Sequence, residues 1–108
     1  MRFSGTSTYT LVLTDSTQGW THTTTKSQTG LARSSAEVIT EAPSSAGGVL
    51  PLADFGTVNY SASAANGTSM GTQSPTEIIM VDSKGLPKDS TSAIALNGAF
   101  SNTWIRSN

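Results

Sequence analysis

Two glutamates stand four residues apart in the run SSAEVITEAP, residues 34–43 of a chain with few charges. On a strand, the side chains of Glu37 and Glu41 would share one face and lie about 13 Å apart, because each residue advances the chain by about 3.3 Å. Paired catalytic carboxyls lie closer than that, within about 10 Å even in inverting glycosidases. A catalytic Glu37 therefore needs a partner from elsewhere. The alternative is that both acids are exposed on a sheet face.

The other reactive side chains give weaker signals. His22 is the one histidine, and it alternates with Trp20 and Thr24 on a polar run. Because the chain has one histidine and no cysteine, it lacks the further nitrogen and sulfur ligands of a zinc site. Asp82 and Asp89 flank SKGLPK with a spacing that matches no calcium loop and indicates a solvated turn. We therefore expect no metal and no cofactor.

The composition argues against several kinds of partner. Charged residues make up 12% of the 108 residues, against about 25% in average proteins, and the formal net charge is −1. The six basic side chains form no stripe, so we expect no nucleic-acid partner and no membrane-surface partner. No apolar run approaches the length of about 20 residues that spans a bilayer.

Hydroxyl side chains dominate the polar residues, since roughly a third of the chain is Ser or Thr. A surface of this kind loses few carboxylate contacts on acidification, which favours a secreted protein in an acid setting. The N-terminal MRFSGTSTYT lacks the apolar core of a signal peptide, so we expect none within this sequence.

Short alternating runs, rather than helical periodicity, extend along the chain. Asn66-Gly67 and Asn97-Gly98 are typical of tight hairpin turns. The predicted strands are residues 9–14, 20–25, 35–41, 55–61, 76–82, 91–96 and 99–105, with a breaker-rich loop at 43–51. Seven or eight short strands predict an all-β antiparallel sandwich, with residues 1–108 as a single domain.

Two motifs give the sequence a family resemblance. SSAEVITEAP, together with PLADFGTV at residues 51–58, resembles the glutamic peptidases (eqolisins). The hairpin YTLVLTDSTQGW, the run TEIIMVDSKG and the terminal tryptophan strand are similar to other parts of that family. The resemblance therefore extends over nearly the whole chain.

The resemblance implies a jelly-roll or concanavalin-like sandwich and an endopeptidase that acts on polypeptides in acid. It implies that Glu37 is the catalytic residue, first as general base on the attacking water and then as general acid toward the leaving amine. The family's second catalytic residue is a glutamine that polarises the scissile carbonyl. Such a pair suits low pH, because a carboxyl exchanges protons there and a neutral amide donates whatever the pH.

The chain also departs from the family. The family's glutamine lies in an N-terminal half that is absent here, and Gln18, Gln28 and Gln73 do not take its place. Val38 stands where the family has tryptophan. We therefore expect the C-terminal half of the family fold, weak or inactive alone, which forms a homodimer or requires a missing N-terminal half. The alternative is a non-catalytic module that binds polysaccharide or protein, with Trp20 or Trp104 as a stacking platform.

Overall fold

The computed structural model describes residues 7–108 and the backbone of the strand Arg2–Phe3. The fold is all-β and antiparallel, as the sequence predicts. The chain divides into two compact units, Met1–Ser35 and Ala36–Asn108. That residues 1–108 form one domain stays a prediction. No helix among the described residues is long and apolar enough to cross a membrane.

Ten strands and one 3₁₀ turn make up the regular structure of the described residues. In chain order these elements are β1 (Arg2–Phe3), β2 (Thr8–Asp15), β3 (Trp20–Ser27), β4 (Ser44–Ser45), β5 (Gly48–Val49), β6 (Thr57–Tyr60), β7 (Ala64–Ala65), β8 (Thr68–Ser69), the 3₁₀ turn (Met70–Thr72), β9 (Asp89–Thr91) and β10 (Phe100–Trp104).

The first unit is a three-stranded sheet with the strand order β1-β2-β3. Strands β2 and β3 pair over eight residues each, from Thr8 opposite Ser27 to Asp15 opposite Trp20. The Asp15 carboxylate closes the turn between them, because it accepts the N–H groups of Thr17 and Gln18, each at 2.9 Å. The hairpin predicted from the alternation of residues 9–14 and 20–25 is confirmed.

The second unit contains a three-stranded sheet with the order β6-β10-β9 and two short hairpins, β4–β5 and β7–β8. Asn66 and Gly67 connect β7 to β8, and both have positive φ angles, 53° and 76°. The chain also reverses at Asn97-Gly98, where the Gly98 N–H donates to the Ala95 carbonyl at 2.8 Å. Both predicted Asn-Gly turns are therefore confirmed.

Two predicted strands are wrong as strands. Residues 35–41 pair with no strand, and residues 76–82 form a single antiparallel bridge, between Val81 and Pro87. Side-chain alternation favours an extended chain, but a strand also needs a neighbouring chain to accept its hydrogen bonds. Of the predicted strand at residues 91–96, only Thr91 is in a strand, as the last residue of β9, and the predicted loop at 43–51 contains β4 and β5.

Few apolar side chains are buried. Ala42 and Leu52 are the buried hydrophobic residues of the described chain. The rings of Tyr60 and Phe100 stack beside each other on β6 and β10, with their centroids 4.6 Å apart. The Trp104 indole N–H donates to the Leu52 carbonyl at 3.3 Å. These contacts give the second unit a small core.

Candidate active site

The segment that carries Glu37 is held at its C-terminal end. The Thr40 hydroxyl hydrogen-bonds the Tyr60 hydroxyl, and Ala42 is buried. The Pro43 carbonyl then accepts the Leu50 N–H at 2.9 Å. Three residues beyond Glu37 the chain is therefore fixed against the β6-β10-β9 sheet.

The carboxyls of Glu37 and Glu41 are exposed, and neither makes a hydrogen bond to another described residue. An exposed carboxylate on an anchored segment can reach a water or a substrate without first breaking an internal contact. Its lone pairs are available because no backbone or side-chain donor occupies them. The catalytic role of Glu37 stays a prediction.

The second family-like motif, residues 51–58, has a structural duty. The Asp54 carboxylate accepts the Gly56 N–H at 2.9 Å, and Gly56 has a φ of 62°. The Gly56 carbonyl in turn accepts the Trp104 N–H at 2.8 Å. The Leu52 N–H donates to the Ser107 carbonyl at 3.0 Å. The motif thus turns the chain into β6 and fastens the end of β10.

The one glutamine of the second unit, Gln73, has no free side-chain amide. The Gln73 side-chain amide donates to three carbonyls of the β7–β8 hairpin, with distances of 2.9 Å to Thr68, 3.2 Å to Ser69 and 3.4 Å to Ala65. Gln18 and Gln28 belong to the first unit. The amide of Gln73 is therefore committed to holding a hairpin.

Sequence reasoning missed a carboxyl–amide pair inside the second unit. The Asn102 amide donates to the Asp89 carboxylate at 2.8 Å, and the other oxygen of Asp89 accepts the Met80 N–H at 2.7 Å. Asp89 is 1% exposed and Asn102 is 6% exposed. A substrate cannot reach this pair, so it stabilises the sheet rather than performing acid–base chemistry. The polar alternation of β10 gave no signal that Asn102 is buried.

Asp82 closes the turn that follows residues 76–81. Its carboxylate accepts the N–H groups of Lys84 at 2.8 Å and Leu86 at 2.9 Å, and it forms an ion pair with Arg106 at 2.9 Å. The N–H of Leu86 is the main reason why the pKa of Asp82 lies below its ordinary value. The N–H of Lys84 and the positive charges of Arg106 and Lys88 act in the same direction, whereas desolvation opposes them.

The contacts of the remaining candidates give them no chemical role within the described residues. His22 is exposed on β3, where its Nε2 contacts the Thr24 hydroxyl at 3.1 Å. No group of His, Cys, Asp and Glu in the described part of the chain could hold a metal ion. Trp20 is 45% exposed, whereas Trp104 is half-buried and hydrogen-bonded to Leu52. Of the two tryptophans, only Trp20 presents a ring for stacking.

Comparison with protein families gives a match. Residues 2–101 match the Peptidase A4 family. No curated protein and no solved structure matches the chain. The matched range includes Glu37 and the motif at residues 51–58, the two features on which the resemblance to glutamic peptidases rests. Because the match covers most of the chain, this protein belongs to the peptidase A4 family, the glutamic peptidases.

Proposed function

We propose that this chain is the C-terminal half of an acid-acting glutamic endopeptidase and carries one of its two catalytic residues, Glu37. The observation that carries the proposal is the family match, which spans the glutamate motif. The structure adds that Glu37 is exposed on an anchored segment. Its substrate is a polypeptide. The hydroxyl-rich, weakly charged composition supports a secreted protein that works in acid.

In the proposed reaction the Glu37 carboxylate takes a proton from water as the water attacks the scissile carbonyl. The carboxyl then returns that proton to the leaving amine. The tetrahedral intermediate carries an oxyanion, which requires a hydrogen-bond donor. A carboxyl suits both proton transfers in acid, where an imidazole would remain protonated.

The donor for the oxyanion comes from another polypeptide in this proposal. Gln73 is occupied by the carbonyls of its own hairpin, and this supports a chain that lacks the second catalytic residue. Loss of one oxyanion donor costs about 3 kcal/mol in other acyl-transfer sites, or about a hundredfold in rate. The isolated chain should therefore be weak or inactive, and an N-terminal half completes the site.

The test is peptide cleavage at about pH 3 by the chain alone and by the chain combined with the N-terminal half of another peptidase A4 member. We expect cleavage only in the combination. Glu37→Gln should abolish that cleavage, and Glu41→Gln, an exposed acid on the same segment, should leave it within about twofold.

Strong cleavage by the chain alone would mean that it supplies its own second residue. Cleavage that survives Glu37→Gln would remove Glu37 from the mechanism. The exposure of Trp20 favours polysaccharide binding as the second candidate function. Retention on a polysaccharide that is lost in Trp20→Ala and unchanged in Glu37→Gln, with no cleavage in any combination, would replace the peptidase proposal.

A further inference from the structure

The run TEIIMV, residues 76–81, is an extended segment that is fixed at one end and unpaired at the other. At the fixed end, the Met80 carbonyl accepts the Lys88 N–H at 2.8 Å, and the Met80 N–H donates to the Asp89 carboxylate at 2.7 Å. Within the described chain, no hydrogen bond reaches residues 76–79. Four consecutive residues therefore keep free N–H and C=O groups.

The bridge at Val81 decides which way the free groups point. Val81 lies opposite Pro87, and the Asp82 N–H donates to the Leu86 carbonyl at 2.9 Å. The backbone groups of residues 80 and 82 therefore face the chain at 86–88. Because alternate residues of an extended chain point their N–H and C=O groups to opposite edges, those of residues 77, 79 and 81 face away. We call the backbone of these three residues the open edge.

The side chains along the open edge do not block pairing. Ile78 is 82% exposed, Val81 51% and Ile79 37%. Glu77 is the single charged residue in the segment. Native proteins usually protect a free strand edge with several charges, a proline within the edge or a covering segment. A β-branched, apolar edge without such protection is suited to pairing with another strand.

We propose that the open edge pairs antiparallel with the open edge of a second copy of this chain, about a twofold axis at Ile79. In this register Ile79 of one copy lies opposite Ile79 of the other, and Glu77 of each copy lies opposite Val81 of the other. All three residues of the open edge are then in hydrogen-bonded pairs, because such pairs recur at every second residue. The inference goes beyond the proposed function, since this pairing satisfies the open edge and does not supply the missing oxyanion donor.

The charge pattern of the segment favours a second copy as the occupant. In the twofold register no glutamate faces a glutamate, and isoleucine meets isoleucine, so the cross-strand neighbours are compatible. An isologous contact of this kind closes on itself and stops at the dimer. A second copy of this chain is therefore sufficient to satisfy the hydrogen bonds of the open edge.

The test uses charge exchange at the axis. Ile79→Lys and Ile79→Glu each place like charges directly opposite each other in the dimer, so each variant alone should lose the association. An equimolar mixture should recover it, because lysine then faces glutamate. The matched control is Ile78→Lys and Ile78→Glu, whose side chains face Met80 of the other copy, and each should still associate alone. Sedimentation velocity over a hundredfold concentration range measures the outcome.

Circular dichroism of each variant identifies any that fails to fold, and recovery in the mixture itself requires that both variants fold. A wild-type chain that stays monomeric over the whole range would overturn the proposal. So would Ile79 variants that associate singly like the wild type, or a mixture that remains monomeric. The sedimentation assay contains no substrate. Its result is therefore independent of whether Glu37 proves to be catalytic in the cleavage assay.

Discussion

At the scale of single residues, buried polar side chains connect separate backbone segments of the second unit, which has few buried apolar side chains. Asp89 contacts the backbone of Met80 on one side and the amide of Asn102 on the other. A buried carboxylate is tolerated where donors replace the water that it loses. The Asn102 side-chain oxygen is buried without a hydrogen-bond partner among the described residues. The pair therefore holds residues near 80 to the central strand β10.

Asp82 gives a pH-dependent prediction at the same scale. Its pKa in the folded protein lies below the ordinary value of 3.8, chiefly because of the Leu86 N–H. A lowered pKa means that the carboxylate stabilises the fold above about pH 3.8, and that this contribution is lost as the pH falls through the folded pKa. Asp82→Asn should therefore lower the thermal unfolding midpoint at about pH 6, and the difference from wild type should shrink toward pH 2.

Arg106→Gln is the control for the Asp82 prediction, because it removes the ion pair and leaves the backbone donors in place. Its effect on the unfolding midpoint at about pH 6 should be smaller than that of Asp82→Asn, since the N–H groups of Lys84 and Leu86 still hold the Asp82 carboxylate. Equal differences between wild type and Asp82→Asn at both pH values would contradict the role given to this carboxylate.

At the scale of elements, close backbone contacts between turns set the geometry of the second unit. A Cβ at Gly98 would lie 2.4 Å from the carbonyl oxygen of Ser63, and Gly98 has a φ of 81°. The Ser63 N–H donates to the Gly98 carbonyl at 3.2 Å. The turn at residues 97–98 therefore packs directly against the start of the β7–β8 hairpin, with no space for a side chain.

Gly98→Ala should destabilise the protein by more than Gly67→Ala. Both glycines have positive φ, so each substitution costs about 1–2 kcal/mol for the left-handed conformation. A Cβ at Gly67 meets nothing within 4 Å, whereas the clash at Gly98 adds about 1–3 kcal/mol. Urea unfolding of the two variants measures the difference. Equal free energies of unfolding would show that the contact with Ser63 relaxes without cost.

At the scale of the whole molecule, many large apolar side chains remain in water. Leu13 is 64% exposed, Val49 72% and Leu96 77%, while the buried hydrophobic residues of the described chain are Ala42 and Leu52. Exposed apolar surface on this scale is typical of a chain that associates with another. Association couples to folding, because a partner that binds only the folded chain stabilises it by mass action.

The thermal unfolding midpoint should therefore rise with protein concentration. Each kcal/mol of stabilisation raises the midpoint of a domain of this size by about 4–8 °C. Ile79→Lys should remove the dependence if the open edge is the contact, and Ile78→Lys should keep it. Calorimetry at several concentrations measures the midpoints. A wild-type midpoint that is constant from dilute to concentrated solution would contradict a folded state stabilised by a partner.

The sequence by itself determined the features that depend on local chemistry. Alternation in residues 9–14 and 20–25 was enough to predict the β2–β3 hairpin, because its two strands are neighbours in the chain and pair across a short turn. Asn66-Gly67 and Asn97-Gly98 fixed two further reversals, in which Asn66, Gly67 and Gly98 have positive φ. The glutamate motif and residues 51–58 were enough to identify the family, whose match the whole-chain comparison confirmed.

Only the tertiary structure decided which extended runs become strands and which polar residues are buried. Residues 35–41 and 76–82 alternate like strands, but pairing depends on a neighbour that side-chain pattern does not encode. Asn102 and Asp89 look like surface residues in sequence. Asn102 is buried on β10, the central strand of its sheet, and Asp89 is buried on the edge strand β9, where the Asn102 amide and the Met80 N–H reach it. The commitment of Gln73 to three backbone carbonyls likewise follows from the fold of its hairpin. Local pattern therefore sets backbone shape and turns, whereas burial and strand pairing are properties of contacts between distant residues.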